Sequence, residues 1–257
     1  MRYFLDIAYQ GARYHGWQIQ ENAHSIQAEI QHKLSLLLQE DVEITGSGRT
    51  DTGVHAEQQI AHLDCHQPLN HTHHRYKLNH MLPPDIAIAN IYKVSPEAHA
   101  RFDALARRYQ YRISRRKNPF RAGLSYYDRR PYALERLNEA AAILLTYQDF
   151  EAFSKVHTQV NHFRCRIDEA YWTENDDLLC FHIEADRFLR GMVRAIVGTL
   201  LDIGQGKLNP NDLKNVIESK DRRQAGRTVP PEGLFLCQVK YPYPLEPADG
   251  LITNFEK

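Results

Sequence analysis

The stretch of this chain best suited to chemistry is residues 46–56, GSGRTDTGVHA, which places one arginine and one aspartate among three glycines. Glycine adopts positive φ at little cost, so we expect these glycines to form a tight loop that is neither helix nor strand. Asp51 follows Arg49 by two residues in that loop. The two side chains form either a salt-bridged turn or a reactive carboxylate held where a substrate can reach it.

The spacing within the loop excludes several common sites. A G-x-G-x-x-G phosphate loop would need glycine at Asp51, and G-x-x-x-x-G-K-[ST] would need lysine at Val54. Ser47 does not fit the G-x-S-x-G elbow of a Ser-His-Asp hydrolase. What remains is a carboxylate that attacks a carbon centre or takes a proton, as glycosidase carboxylates do beside an oxocarbenium-like sugar. This chemistry suits cleavage of a glycosidic bond.

A metal site is the rival interpretation of the same loop. Asp51 and His55 could act with the His-rich stretch 71–74, but Gly53 spoils helical i, i+4 ligand geometry and no second acidic ligand is near in sequence. We therefore expect no metal, and we interpret the His-rich stretch as a polar surface loop. A metal-dependent hydrolase stays open as an alternative function.

A cation close to Asp51 would favour its ionised form. The sequence predicts a helix over residues 188–203, and Arg187, Arg190 and Arg194 are spaced so that they would share one helical face. The same spacing is also typical of a solvated surface stripe. Spacing alone does not choose between these interpretations.

Hydrophobic periodicity predicts a mixed α/β protein. The elements fall into two comparable series, which predict an N-terminal domain over residues 1–104 and a C-terminal domain over residues 105–257. The first series has strands at 3–9, 59–65 and 86–94 and a helix from Ser25; the second has a strand from Arg107, a helix at 134–145, a hairpin at 175–176, the helix at 188–203 and a short helix capped by Asn209.

Charge is distributed unevenly although the net charge is zero. Residues 1–100 carry 7 Lys and Arg against 11 Asp and Glu, whereas residues 101–130 carry 10 basic residues against two acidic ones. Aromatic residues are interleaved with these arginines, a pattern that favours single-stranded or looped RNA over a merely solvated basic surface.

The composition, 42% hydrophobic over 257 residues, is that of an ordinary globular protein. The N-terminus alternates like a strand and not like a signal peptide, and no apolar run approaches the ~18 residues that span a bilayer, so we expect a cytoplasmic protein without a membrane segment. Four scattered cysteines form no C-x-x-C pair, which argues against a zinc ribbon or a disulfide framework.

Taken together, several motifs make the chain similar to the TruA family of tRNA pseudouridine synthases. The resemblance covers nearly the whole chain, and the motifs occur in the family's order. They are GARYHGWQ (11–18), SIQ (25–27), GRTDTGVHA (48–56), LPPDIA (82–87), HARFDALARRYQY (99–111), FLRGMVRAIVG (188–198) and PEGLFL (231–236).

The resemblance implies a role for five residues. Asp51 would be the catalytic aspartate, Arg194 its basic partner, and Tyr109 the ring that stacks on the target base. Arg49 would contact RNA or brace the flipped nucleotide, and Leu234 would pack near the target base. The implied fold has two similar α/β halves with mainly antiparallel sheets that meet at a central catalytic cleft.

The resemblance also implies the reaction: isomerisation of uridine to pseudouridine at positions 38, 39 and 40 of the tRNA anticodon arm, by a homodimer that uses no cofactor. Asp51 would either attack C1′ or remove the C2′ proton, and the sequence does not choose. An RNA-binding module or tRNA folding chaperone without catalysis stays open as an alternative.

The chain departs from the family pattern at three places. Thr52 replaces the usual alanine, and Gln58-Gln59 stands where Gly-Gln is usual. The stretch 162–168, HFRCRID, lacks a clean match, so the resemblance assigns it no role.

Overall fold

The computed structural model describes residues 1–155 and 161–248, which contain nine β-strands and five α-helices. The mixed α/β fold expected from the sequence is confirmed. The chain divides into two compact units: residues 1–105 together with the chain from Leu236 onward, and residues 106–235. The division into domains 1–104 and 105–257 stays a prediction, and its residues 156–160 and 249–257 lie outside the described residues.

The strands of the first unit are β1 Arg2–Tyr9, β2 Ile44–Gly46, β3 His55–Asp64, β4 Ile86–Lys93 and, from Leu236, β9 Leu234–Lys240. They lie in the order β4-β1-β3-β9, and β2 pairs antiparallel with β3. The central strand β1 is antiparallel to both β3 and β4. The helices of this unit are α1 Ile26–Leu38 and α2 His71–Met81.

Helix α1 forms where the sequence predicts it. Ser25 caps its first turn, because the side chain of Ser25 accepts a hydrogen bond from the backbone N–H of Ala28 at 3.3 Å. An apolar stripe, Ile26, Ile30, Leu34 and Leu38, is fully buried along one side of the helix. The cap and the stripe are both local signals.

Helix α2 contradicts the prediction of a polar surface loop at the His-rich stretch. Asn70 caps the helix, since its side chain accepts from the His73 N–H at 2.7 Å. Asn79 then binds both backbone groups of Ile88 on β4, at 2.7 and 2.9 Å. Leu78 is the only buried residue of α2, so the sequence has no apolar stripe that could reveal a helix.

The strands of the second unit are β5 Ala106–Ser114, β6 Tyr126–Tyr127, β7 Ile167–Asn175 and β8 Leu178–Ala185. They form an antiparallel sheet in the order β5-β8-β7, and the short strand β6 is parallel to β5. The predicted hairpin is confirmed: its turn places Asp176 at a φ of 51°. The helices of this unit are α3 Leu134–Leu144, α4 Met192–Gly204 and α5 Asp212–Ser219.

Helix α4 begins four residues later than predicted. Gly191 adopts a φ of 73°, a left-handed conformation through which a right-handed helix cannot continue. Arg187 and Arg190 therefore precede the helix, and Arg194 lies on it. The prediction that these three arginines share one helical face is wrong.

Helix α5 also begins later than predicted, at Asp212. Asn209 does not cap it; instead the backbone N–H of Asn209 donates to the carboxylate of Asp212 at 2.7 Å.

No helix in the described residues is long and apolar enough to cross a membrane.

Candidate active site

The loop that carries Asp51 runs from Ser47 to Val54, between β2 and β3. Gly53 alone of the three glycines around it has a positive φ, 79°. Gly46 is the last residue of β2, so the expectation that every one of these glycines breaks the strand is wrong. Gly46 is required for a different reason: a Cβ there would lie 2.5 Å from Nε1 of the Trp17 indole.

Asp51 is half-buried and Arg49 is exposed. The backbone carbonyl of Asp51 accepts from the Val54 N–H at 3.1 Å, which closes a turn. The Arg49 Nε donates to the side-chain oxygen of Gln18 at 3.1 Å. This hydrogen bond directs the guanidinium toward the GARYHGWQ segment. The arrangement does not match the salt-bridged turn of Arg49 and Asp51 that was considered from the sequence.

Thr50 fixes the backbone immediately before Asp51. Its side chain is 7% exposed, and its hydroxyl hydrogen-bonds the Tyr9 hydroxyl at 2.8 Å. Its carbonyl accepts from the Trp17 N–H at 3.2 Å. Gly16, at a φ of 88°, passes so close that a Cβ would lie 2.5 Å from the Thr50 carbonyl oxygen. Asp51 thus follows a residue held by both side chain and main chain.

The two ends of the loop are also anchored. Gln59 on β3 accepts from the Ser47 hydroxyl at 2.6 Å and donates to the Gly48 carbonyl at 2.8 Å. At the other end, the Gly11 N–H donates to His55 Nδ1 at 3.1 Å. A Cβ on Gly11 would lie 2.0 Å from the Val54 carbonyl oxygen, so only glycine fits there.

Gln58, one of the departures from the family pattern, joins strands of the first unit. Its side-chain nitrogen donates to the Asp6 carboxylate at 3.1 Å, and its side-chain oxygen accepts from the Val239 N–H at 3.0 Å. Burial raises the pKa of Asp6, and hydrogen bonds from Gln58 and Tyr92 oppose that increase. The side chain at this position therefore compensates a buried carboxyl group.

Tyr109, Arg194 and Leu234 all belong to the second unit. Tyr109 lies on β5, half-buried, with its ring packed edge-to-face against Phe188 at 5.1 Å between centroids. An edge-to-face contact is a favoured aromatic geometry. Leu234 is buried and begins β9.

Arg194 lies in the first turn of α4 and is tied to the segment that leads into β9. Its Nε donates to the Val229 carbonyl at 2.7 Å, and its own carbonyl accepts from the Val229 N–H at 3.3 Å. One residue later, the Pro230 carbonyl accepts from the buried Tyr111 hydroxyl at 2.8 Å. The adjacent carbonyls of Val229 and Pro230 therefore link α4, which carries Arg194, to β5, which carries Tyr109.

The charge on Arg194 reaches that strand as well. Burial raises the pKa of Tyr111, the charge of Glu232 raises it further, and the charges of Arg194 and Arg227 lower it. Gly233 packs against the same ring, because a Cβ there would lie 2.7 Å from it. The second unit therefore assembles Arg194, the tyrosine strand and the approach to Leu234 around one buried phenol.

Residues 226–229, the α4-flanking segment, are held against α4 by contacts that sequence reasoning did not reveal. The Gly226 N–H donates to the buried Thr199 hydroxyl at 2.8 Å. A Cβ on Gly198 would lie 1.8 Å from the Arg227 carbonyl oxygen. Two glycines at a helix contact are the signal in the sequence that could have indicated this close approach.

The basic segment 101–130 is less free to bind phosphate than its composition suggests. Four of its arginines form salt bridges within the second unit, and these pairs are Arg108 with Glu169 and Glu184, Arg115 with Glu174, Arg121 with Asp177, and Arg130 with Asp128. We therefore restrict the prediction of an RNA-binding surface to the exposed cations of the segment that form none of these salt bridges.

Among the described residues, no group of three or more His, Cys, Asp or Glu side chains could hold a metal ion. Asp51 and His55 are therefore not joined by a third such ligand in this part of the chain. The histidines of α2 bind neighbouring groups instead; for example, His71 lies 3.3 Å from the side-chain oxygen of Asn90.

Comparison with known proteins gives the family. The model of the tRNA pseudouridine synthase family matches residues 7–103 and 140–242. The chain belongs to this family. The matched residues include the loop of Asp51 in the first unit and helix α4 in the second.

Similar curated proteins carry the name tRNA pseudouridine synthase A. The relative from Parabacteroides distasonis is 47% identical over 249 residues, which cover 96% of this chain and 99% of the relative. The relative from Bacteroides fragilis is 48% identical over 94% of this chain and 96% of its own length. A more distant one, from Shewanella loihica, is 40% identical over 94% of each chain.

Proposed function

We propose that this tRNA pseudouridine synthase isomerises uridine to pseudouridine at positions 38, 39 and 40 of the tRNA anticodon arm. The reaction breaks the N1–C1′ bond, turns the uracil and joins C5 to C1′. Family membership supports the reaction class, and the ordered motifs support the three positions. The observation that carries the proposal is Asp51, a carboxylate on a loop whose backbone is fixed at Ser47, Thr50 and Val54.

Asp51 acts on the ribose of the target nucleotide. It either attacks C1′, with the uracil N1 as leaving group, or removes the C2′ proton to form a glycal, and both routes need an ionised carboxylate. Arg194 is its basic partner in this proposal, and the hydrogen bond from Arg194 Nε to Val229 supports a fixed guanidinium. Fixed charges of this kind stabilise a transition state without reorganisation.

Tyr109 stacks on the target base, Leu234 packs near it, and Arg49 contacts RNA or braces the flipped nucleotide. Removing a base from its stack costs a few kcal/mol, and stacking on an aromatic ring returns roughly 1–3 kcal/mol. The edge-to-face contact with Phe188 supports this role, because it holds the Tyr109 ring in one orientation. A ring that is already ordered loses less entropy when it binds.

The proposal also covers the oligomeric state and the cellular location of the protein. The protein acts as a homodimer, as the family resemblance implies, and it acts in the cytoplasm, as its N-terminal pattern indicates, with tRNA as its substrate and without a metal or other cofactor. Two copies would bring two sets of exposed cations to one tRNA, which fits a chain of zero net charge.

The test uses purified protein and unmodified tRNA transcripts, with pseudouridine mapped chemically at each nucleotide. Transcripts that carry cytidine at position 38, 39 or 40 serve as matched controls. We expect pseudouridine at each remaining uridine of the three, in excess chelator as well as without it. Tight tRNA binding without any pseudouridine would contradict the proposal and favour an RNA-binding module, whereas loss of activity in chelator would favour a metal-dependent enzyme.

A further inference from the structure

The connection between β5 and β6 closes on itself. Ser114, the last residue of β5, is the register partner of Tyr127, and its hydroxyl lies 2.8 Å from the Ser125 hydroxyl. The Ser114 carbonyl also accepts from the Asp128 N–H at 3.0 Å. We refer to residues 115–127, the connection together with the short strand β6, as the β5–β6 loop.

Hydrogen bonds give the β5–β6 loop a defined shape. Asn118 caps a short 3₁₀ turn, Pro119–Arg121, by accepting from the Phe120 N–H at 3.0 Å. Asp177 in the β7–β8 turn then anchors the loop twice, because its carboxylate pairs with Arg121 at 2.7 Å and its carbonyl accepts from the Arg115 N–H at 2.7 Å. The loop therefore presents its outward side chains from a braced backbone.

Phe120 is the outward side chain that requires an explanation. It is 91% exposed, and it follows Pro119 in the 3₁₀ turn. Burying a phenylalanine stabilises a protein, and the isolated chain lacks that contribution at this position. Single exposed apolar side chains are ordinary, so exposure alone identifies no site. Here a second aromatic residue at the end of the same loop, Tyr127, is also 50% exposed.

The charges around these aromatics are predominantly positive. Asp177 pairs with Arg121 and the buried Asp128 pairs with Arg130, which leaves Asp176 in the β7–β8 turn as an exposed acidic side chain. By contrast, three cations that flank the aromatics are exposed and form no salt bridge within residues 1–155 and 161–248; they are Arg116, Lys117 and Arg129.

We propose that the β5–β6 loop is a second RNA contact, in which Phe120 stacks on an unpaired base of the tRNA while Arg116 and Lys117 bind the adjoining phosphates. An exposed ring beside unpaired cations is the combination that binds single-stranded nucleic acid, since any base can stack and every nucleotide carries a phosphate. This contact is separate from Tyr109, which acts on the reacting base. It rests on the proposed function only for the identity of the RNA.

The experiment compares Phe120→Ala with Tyr76→Ala, a change of another aromatic side chain, 64% exposed, on α2 of the first unit. Loss of one base–aromatic stack, worth about 1–3 kcal/mol, corresponds to a roughly 5- to 150-fold weaker Kd for a tRNA transcript at fixed salt. We expect that loss for Phe120→Ala, recovery for Phe120→Trp, no recovery for Phe120→Leu, and no change for Tyr76→Ala. The single-turnover rate of pseudouridine formation from tRNA that is already bound should stay unchanged.

The phosphate contacts have their own measurement. Arg116→Gln and Lys117→Gln should each reduce the slope of log Kd against log salt concentration by about one. Unchanged slopes would contradict those contacts, and a Kd within twofold of the unmutated protein for Phe120→Ala would overturn the stacking role.

Two further readouts separate this inference from its alternatives. If sedimentation shows that Phe120→Ala changes the oligomeric state, the loop is an interface between two copies of the chain and the RNA contact is wrong. If the unmutated protein binds tRNA but makes no pseudouridine at the three positions, the proposed function fails. Weaker binding by Phe120→Ala would then still support the contact on its own.

Discussion

Thr50 is one of the residues through which the first unit positions Asp51. Its hydroxyl contacts Tyr9 on β1, and its carbonyl binds Trp17, so the residue just before the carboxylate is fixed by two separate segments. None of these groups needs to touch substrate. Their contribution is positional, and small displacements of reacting groups are costly in rate.

Tyr9→Phe tests this positioning. It removes the hydroxyl that hydrogen-bonds Thr50 and leaves the ring in place, a loss of about 1 kcal/mol. We expect the single-turnover rate to fall about fivefold with the tRNA Kd unchanged. Tyr14→Phe is the matched control, because it removes a 2.7 Å hydrogen bond to Asp85 in the same part of the unit. Equal rate losses in both variants would indicate general destabilisation instead of positioning.

Among the elements, helix α4 and the α4-flanking segment (226–229) hold Arg194 in place, as the anchored loop 47–54 holds Asp51. The buried Thr199 hydroxyl donates to the Ala195 carbonyl at 3.0 Å and accepts from Gly226 at 2.8 Å. It therefore ties the flanking segment, and with it the carbonyl of Val229, to the helix that carries the arginine.

Thr199→Val tests that connection with almost no change of shape. Valine leaves the Gly226 N–H without its acceptor, which costs about 1–3 kcal/mol. We expect a lower urea midpoint together with a reduced rate on bound tRNA, and recovery of both by Thr199→Ser. If Thr199→Val loses stability but keeps its full rate, the segment has no part in positioning Arg194.

The elements also show how far the sequence could predict the structure. Helix α1 was predictable because its cap and apolar stripe are local in the chain. Helix α2 was not predictable, because it has no buried apolar stripe. Its N-terminal cap and the hydrogen bonds of Asn79 stabilise it instead. The start of α4 was missed because glycine permits a left-handed conformation but does not require it, so the residue type of Gly191 alone does not mark the boundary.

The candidate site shows the same limit. The motif identified the loop of Asp51, but its supporting contacts join residues about forty positions apart, such as Gly11 with His55 and Tyr9 with Thr50. Periodicity within a window of the sequence does not register contacts over that distance. The same holds for the ion pairs that neutralise the basic segment, for example Arg121 with Asp177.

At the scale of the whole molecule, one buried histidine links stability to pH. His62 on β3 accepts from the Ala100 N–H at 3.2 Å, and its ring packs against that of His99. Burial, together with the charges of His99 and Arg2, lowers the pKa of His62 to about 4, although the charges of Asp64 and Asp103 act in the opposite direction. The unfolded chain, with an ordinary histidine pKa near 6.5, takes up the proton first as the pH falls.

We therefore expect the free energy of unfolding to decrease as the pH falls from about 6.5 to about 4, by up to about 1.4 kcal/mol per pH unit from this group. Below that window the contribution of His62 becomes constant. Urea titrations of His62→Gln should show a flatter pH dependence there than the unmutated protein, with His32→Gln, an exposed change on α1, as control. Parallel curves for all three proteins would contradict the assignment.

The most direct test of the central claim, that Asp51 carries the reaction, is a single-turnover measurement of pseudouridine formation with excess enzyme and bound tRNA. Asp51→Asn keeps the shape of the side chain and removes its charge. We predict that this variant binds tRNA with a Kd within about twofold of the unmutated protein and forms pseudouridine roughly 10³-fold more slowly or not at all. Pseudouridine formation at a similar rate in both proteins would show that another group performs the chemistry.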